Sequence, residues 1–353
     1  MGFAPVERNA VRIAAGTSFE GWGSSCLALV LSLAFSLSQG LLQAASESPA
    51  EGASGSKLIL VVGAPGEPEY GTNFLTQAVL WQKACEKARF GLSQIGLEAP
   101  TTTNDLEVLR LALASEPRDE TQPLWLVLIG HGSYDGKEAR FNLRGPDLTA
   151  TSLANWLQPF RRPLIILNLA SCSAPFLNKL SATNRVVITA TRSGTEQYYT
   201  RFGELFAKAL TDSGADLDKD NQVSVLEAFI IASRRTSEFY KTENRIATEH
   251  ALLDDNGDGL GTQGDWFRGL RATKKPNDKA AVDGLMAIQI CVVPSPEDDN
   301  LSTDQKLVRD NLERSVFQLR EKKTEMAEKE YSTELERLLL DLARLYESNA
   351  GAK

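Results

Sequence analysis

Histidine is the scarcest titratable side chain in this 353-residue chain, present only as His131 and His250. Any chemistry that needs an imidazole base therefore has two candidates. Cysteine is nearly as rare. Cys26, Cys85, Cys172 and Cys291 are too scattered for a disulfide framework and lack the C-x-x-C pairing of a zinc site, so at most one structural bridge is expected. Positive charge is also short: the net charge of -8 excludes a broad phosphate-binding surface, and nucleic acid is not an expected partner. No internal repeat points to a solenoid, and no organic cofactor is expected. What remains is a globular composition, with 42% hydrophobic and 24% charged residues, long enough for one large domain with appendages.

Arg8 and Arg12 precede an apolar stretch from Cys26 to Leu42, and the small residues Ala44 and Ala45 come after it. Residues 1–45 thus read as a signal peptide, or as an uncleaved anchor, since the stretch approaches the ~20 residues that span a bilayer. Either reading makes the protein exported: periplasmic, secreted or anchored facing outward. Residues 46–56 have linker composition.

Between 57 and 293, short apolar runs alternate with helical patterns. Strands are expected at Leu58–Ala64, Leu124–Gly130, Pro163–Ala170, Arg185–Thr191 and Leu285–Val293, and helices at about 73–92, 105–115, 149–157 and 201–211. That alternation predicts an α/β fold: a mostly parallel central sheet with helices on both faces. Residues 294–353 are charged, with leucines at helical spacing across 303–346. They read as amphipathic helices that form a hairpin on the domain or a short coiled coil, or that mediate self-association or partner binding.

The second strand runs directly into His131-Gly132-Ser133, and the third into Ser171-Cys172-Ser173. Parallel strands put their carboxyl ends on one edge, where ligands bind. A histidine and a cysteine on neighbouring strand ends can share a proton, which makes Cys172 a candidate nucleophile and His131 its base. Gly132, with no side chain, leaves its N–H open, so the Gly132 and Cys172 N–H groups are expected to form an oxyanion hole. His250, in a polar acidic segment, reads as structural.

The strand-H-G-S motif, the strand-A-S-C-S motif and the segment RVVITATRSGTEQYY together resemble clan CD cysteine peptidases, the caspase, metacaspase and legumain group, and most closely the bacterial legumain-like members. The resemblance covers 57–293 and implies a caspase-haemoglobinase-like fold, a Cys172/His131 dyad and a peptide or protein substrate. NFLTQAVLW resembles the legumain segment whose asparagine orients the histidine, which implies that role for Asn73, although Asn73 is equally a helix N-cap by residue type. One departure matters. Legumains carry Glu, and metacaspases Asp, two positions before the cysteine, and this chain has Ala170, so neither group's selectivity carries over. Arg192 and Ser193 are expected to line the substrate pocket. A cysteine endopeptidase is the leading expectation; the alternatives are a transpeptidase using the same dyad and a non-catalytic calcium-binding module.

Calcium is the expected cofactor. In DLDKDNQVSVLE, Asp216, Asp218, Asp220, Ser224 and Glu227 occupy positions 1, 3, 5, 9 and 12 of an EF-hand-like loop, and the Gln222 carbonyl holds position 7. Asn221 stands where glycine is usual, and asparagine tolerates the left-handed turn. The competing reading is an acidic turn with a helix N-cap. A second, weaker calcium candidate, DDNGDGLGTQGD, offers Asp254, Asn256, Asp258 and Asp265.

Overall fold

The computed structural model describes residues 56–98, 104–277 and 282–350, the side chains of the last three excepted. The expected signal or anchor and nearly all of the linker lie outside the described residues.

Strands β1 (Lys57–Val62), β2 (Gly91–Ile95), β3 (Leu124–Ile129), β7 (Leu164–Asn168) and β8 (Arg185–Thr189) pair in parallel in the order β2-β1-β3-β7-β8. The crossovers are helical: α1 (Pro68–Ala88), α2 (Asp105–Ser115), α3 (Ala150–Leu157) and α4 (Ala174–Leu180). Successive strand side chains point to opposite faces. Leu58, Leu60, Trp125, Val127, Ile165 and Leu167 join a core with α1, α5 (Phe202–Ala209) and α6 (Val225–Thr242). Ile59, Val61, Leu126, Leu128 and Ile166 enter a second core with α2, α3 and α4. Both faces are covered, which explains why the strands read as unbroken apolar runs. The fold is α/β with a mostly parallel central sheet, as expected.

Three features depart from the expected elements. Helix α1 ends where Arg89 turns left-handed (φ 56°), and the next residues form edge strand β2, which is half-exposed and carries no clear alternation. Beyond β3 the chain makes a small antiparallel ribbon of β4 (Gly132–Tyr134), β5 (Ala139–Phe141) and β6 (Leu148–Thr149). The expected strand at 285–293 is absent from the sheet. That edge is taken by antiparallel β9 (Leu252–Asp254) and β10 (Thr262–Gln263), after which comes the two-stranded pair β11 (Phe267–Arg268) and β12 (Arg271–Ala272). The cause is Asp255. Its buried carboxylate accepts the N–H groups of Gly284, Met286 and Ala287, each at 2.8 Å, and so winds the helical turn α7 (Leu285–Ile288). Only Cys291 keeps strand character, as a single antiparallel bridge to Ser224.

After the short helix α8 (Pro296–Asp299), helices α9 (Thr303–Glu321) and α10 (Glu328–Ala350) pack together through Val316, Leu319 and Leu338. Helix α9 is tied to the sheet domain by Gln289 Nε2 donating to the Asp310 carbonyl at 2.7 Å and by the Arg271–Glu321 ion pair at 3.1 Å. Cys85, Cys172 and Cys291 are free thiols.

Trp81 anchors the α1 face: it is fully buried, with Phe206 stacked at 6.0 Å and Trp125 at 6.5 Å. Trp81→Ala is expected to cost about 3–5 kcal/mol of stability, read as a lower midpoint in urea denaturation.

Candidate active site

The strand order runs outward from β1 in both directions, and sheets of this kind bind ligands beyond the carboxyl ends of the strands at such a reversal. His131 sits just past the carboxyl end of β3, and the turn carrying Cys172 leaves β7, the strand paired beside β3 with Leu128 opposite Asn168. The two turns are clamped together. The Gly132 N–H donates to Ser171 Oγ at 3.1 Å, and that hydroxyl donates to the Gly132 carbonyl at 3.2 Å. A Cβ on Gly132 would lie 2.2 Å from the Ser171 carbonyl oxygen, so glycine is required by close approach.

The His131 ring is half-buried against α1, edge-on to Tyr70 at 4.6 Å and to Phe74 at 5.1 Å. Burial lowers its pKa, opposed by a hydrogen bond that the ring donates to the Pro65 carbonyl. That carbonyl, just past β1, holds the imidazole. Asn73 does not: it sits inside α1 between Tyr70 and Phe74, and its side chain makes no hydrogen bond among the described residues. Nor is it an N-cap, since the chain enters α1 at Glu67 with Pro68 in the first turn.

Cys172 occupies the turn from β7 into α4 with φ 53°, a left-handed conformation that an L-residue holds only at a cost of about 1–2 kcal/mol. Its residue is 3% exposed, and burial pushes the thiol pKa up. No hydrogen bond joins the thiol to the His131 ring. With the thiol raised and the imidazole lowered, both groups rest uncharged near neutral pH, which suits a general-base pair and not a standing thiolate–imidazolium pair.

The expected oxyanion donors are both engaged. Gly132 gives its N–H to Ser171, and the Cys172 N–H donates to the Glu196 carbonyl at 2.8 Å. Sequence reasoning treats these amides as open because their acceptors are supplied by tertiary contact. Ala170 is fully buried in the α2–α4 core, so a carboxylate at that position would be cut off from solvent. Of the expected pocket residues, Arg192 is exposed and pairs with Glu196 at 3.5 Å, while Ser193 Oγ lies 2.8 Å from Thr195 Oγ1. Sequence reasoning passes over Glu196 entirely. His250 Nδ1 lies 2.6 Å from Glu196 Oε1, so the second histidine is drawn to the residue whose carbonyl binds the Cys172 N–H. A lone glutamate just past the fourth expected strand is the available signal.

In the first acidic loop, carboxylate oxygens of Asp216, Asp218 and Glu227 lie within 4.8 Å of one another, and Asn221 is left-handed (φ 67°) where glycine is usual. Asp218 is pushed up to about 6, first by desolvation and then by the charges of Asp220 and Glu227. Asp220 does not join the trio; it accepts from the Gln222 N–H at 3.1 Å and Nε2 at 2.8 Å. Ser224 caps α6, in a reciprocal capping box with Glu227. The loop is thus both a helix cap and a converging set of oxygens. The second loop is different. Asp254 accepts the N–H groups of Gly257 at 3.0 Å and Gly259 at 2.9 Å, and the chain then enters hairpin strand β10. Asp254, Asn256 and Asp258 lie at the β9–β10 hairpin, exposed Asp265 follows β10 in a 3-10 turn, and Asp254, Asp258 and Asp265 form no three-carboxylate cluster among the described residues.

No protein-family model matches the chain, and no curated protein matches it in sequence. Among solved structures, the Drosophila initiator caspase Dronc is 13% identical with a TM-score of 0.39, over 58% of this chain and 80% of that one. Caspase-1 from Spodoptera frugiperda is 9% identical with a TM-score of 0.38, over 60% and 91%. A protein from Geobacter sulfurreducens is 10% identical with a TM-score of 0.38, over 57% and 92%. Likenesses this faint carry no argument.

Two substitutions test the local geometry. Because Cys172 is left-handed, Cys172→Gly should be more stable than Cys172→Ala by about 1 kcal/mol, read from urea midpoints; an equal or lower stability for the glycine variant contradicts the strain. Gly132→Ala must spread the two turns and should cost about 1–3 kcal/mol.

Proposed function

We propose that the chain is a cysteine endopeptidase of the caspase, metacaspase and legumain group, nearest the bacterial legumain-like members, with Cys172 as nucleophile and His131 as base. The observation that carries this reading is the left-handed Cys172 on a strand-to-helix turn, clamped against the turn that bears His131. Backbone strain that the surrounding fold maintains is a mark of functional sites, and a sharp strand-to-helix turn is how a nucleophile is presented above a parallel sheet.

In the proposed reaction the Cys172 thiol gives its proton to the unprotonated ring nitrogen of neutral His131 as sulfur attacks the scissile carbonyl. The tetrahedral intermediate collapses when the imidazolium protonates the leaving amine, leaving a thioester. Water, deprotonated by His131, then releases the acid and restores the thiol. The Gly132 and Cys172 N–H groups serve the oxyanion once Ser171 and Glu196 give them up. Selectivity does not come from position 170, and Arg192 and Ser193 lie on the loop that would border the substrate.

Against turnover stands one observation: both oxyanion amides are occupied in this conformation. That favours, as the second reading, a non-catalytic calcium-binding module. The readings part on a single assay, digestion of a peptide library with cleavage products identified by mass spectrometry. Cleavage that falls about 1,000-fold or more in both Cys172→Ala and His131→Ala supports the peptidase. Wild type and Glu196→Gln that both cut nothing, with and without calcium, support the module.

We further propose that Asp216, Asp218 and Glu227 hold calcium, with Asp220, Ser224 and the Gln222 carbonyl completing the loop. Bound calcium would neutralise converging negative charge and tie the start of α6 to residues 216–218. The reading as an exported protein remains a proposal from residues 1–45. Calorimetric titration should show heat with calcium at pH 7 and none in Glu227→Gln. Asp218 titrates near 6, so affinity should fall as pH drops through 6 and the proton competes. The same raised folded-state pKa means that, without calcium, stability declines as pH rises from the ordinary carboxylate range to about 6; calcium should reverse that decline.

A further inference from the structure

The loop after β8 reaches the backbone of Cys172. The Glu196 carbonyl accepts the Cys172 N–H at 2.8 Å, and its carboxylate is held at the other end of the residue. There it accepts the Arg192 N–H at 2.9 Å and the His250 N–H at 3.3 Å, and Oε1 lies 2.6 Å from His250 Nδ1. The Arg192 guanidinium adds an exposed pairing at 3.5 Å, which contributes little beside the shorter contacts. Within the loop, Glu196 N–H closes a turn onto the Ser193 carbonyl at 3.3 Å. Gly194 packs flat on Tyr134, so closely that a Cβ there would meet the ring at 2.4 Å. Tyr134 belongs to β4, which begins at Gly132. The loop therefore spans the site, seated at one side on the ribbon just past His131 and bonded to the Cys172 amide at the other.

From this we propose that residues 192–196 form an autoinhibitory strap, with Glu196 as its latch and His250 as the catch. The strap puts a carbonyl of the chain itself on an N–H that the oxyanion of a substrate would need, at a residue that is 3% exposed. A substrate carbonyl has to displace it. His250 lies 78 positions from Cys172 in the chain, and its hydrogen bonds are with the latch. The functional consequence rests on the peptidase reading, but the strap itself can be tested without turnover.

The test is the rate at which iodoacetamide alkylates each thiol of the full chain, mapped by peptide mass, in wild type, Glu196→Gln and His250→Gln. Buried Cys85 and the bridge residue Cys291 serve as internal references for general opening. The strap predicts a five- to tenfold faster reaction at Cys172 in both variants, with Cys85 and Cys291 unchanged. An unchanged Cys172 rate, or a rise that all three thiols share, overturns it. If Cys172 is released in the variants yet no form cleaves peptides, the strap stands and the peptidase reading falls. If wild type cleaves peptides and neither variant alters the Cys172 rate, the strap falls and the peptidase reading stands.

Discussion

The contact between Gly132 and Ser171 is the one on which the site depends. Two neighbouring parallel strands deliver two turns to the same edge, but pairing alone does not bring their backbones into touch. The Ser171 hydroxyl does so by bonding both the N–H and the carbonyl of Gly132, and any side chain at position 132 would break the approach. His131 and Cys172 flank that contact on either turn. The left-handed Cys172 is the strain that the clamp and the packed start of α4 sustain.

The large-scale fold was legible because its strands are buried on both faces, and such strands announce themselves as apolar runs such as Leu58–Val62 and Leu164–Leu167. The segment at 285–293 has the same composition and a different fate, because Asp255, some 30 positions earlier, hydrogen-bonds its amides into a helical turn. β2 is hard to read from sequence for the opposite reason: an edge strand half open to solvent leaves little pattern. At the site, residue types were readable and their partners were not. From residue type Gly132 reads as an open amide, but Ser171 fills it; Asn73 reads as a partner for His131, but the Pro65 carbonyl takes that place; and Glu196 gains its meaning from His250. Hydrogen bonds across 39 or 54 positions leave no local signature.

The acidic loop at 216–227 joins the sheet domain to the segment that leads into the C-terminal helices. Ser224 bridges Cys291, the Val225 N–H donates to the Ile290 carbonyl at 2.8 Å, and the Ser295 N–H donates to Gln222 Oε1 at 3.1 Å. The stem of those helices is thus bonded to the loop that converges three carboxylates. Glu227 serves both structures, as N-terminal cap partner of α6 and as a member of the cluster.

The central claim is covalent chemistry at Cys172 with His131 as its base. The most direct measurement is acid quenching during turnover of a peptide ester, with mass mapping of the quenched chain. The account predicts an acyl adduct on Cys172 that accumulates in wild type and forms far more slowly in His131→Ala. Ester or peptide turnover with no adduct on Cys172, or an adduct that forms equally fast in His131→Ala, would contradict it.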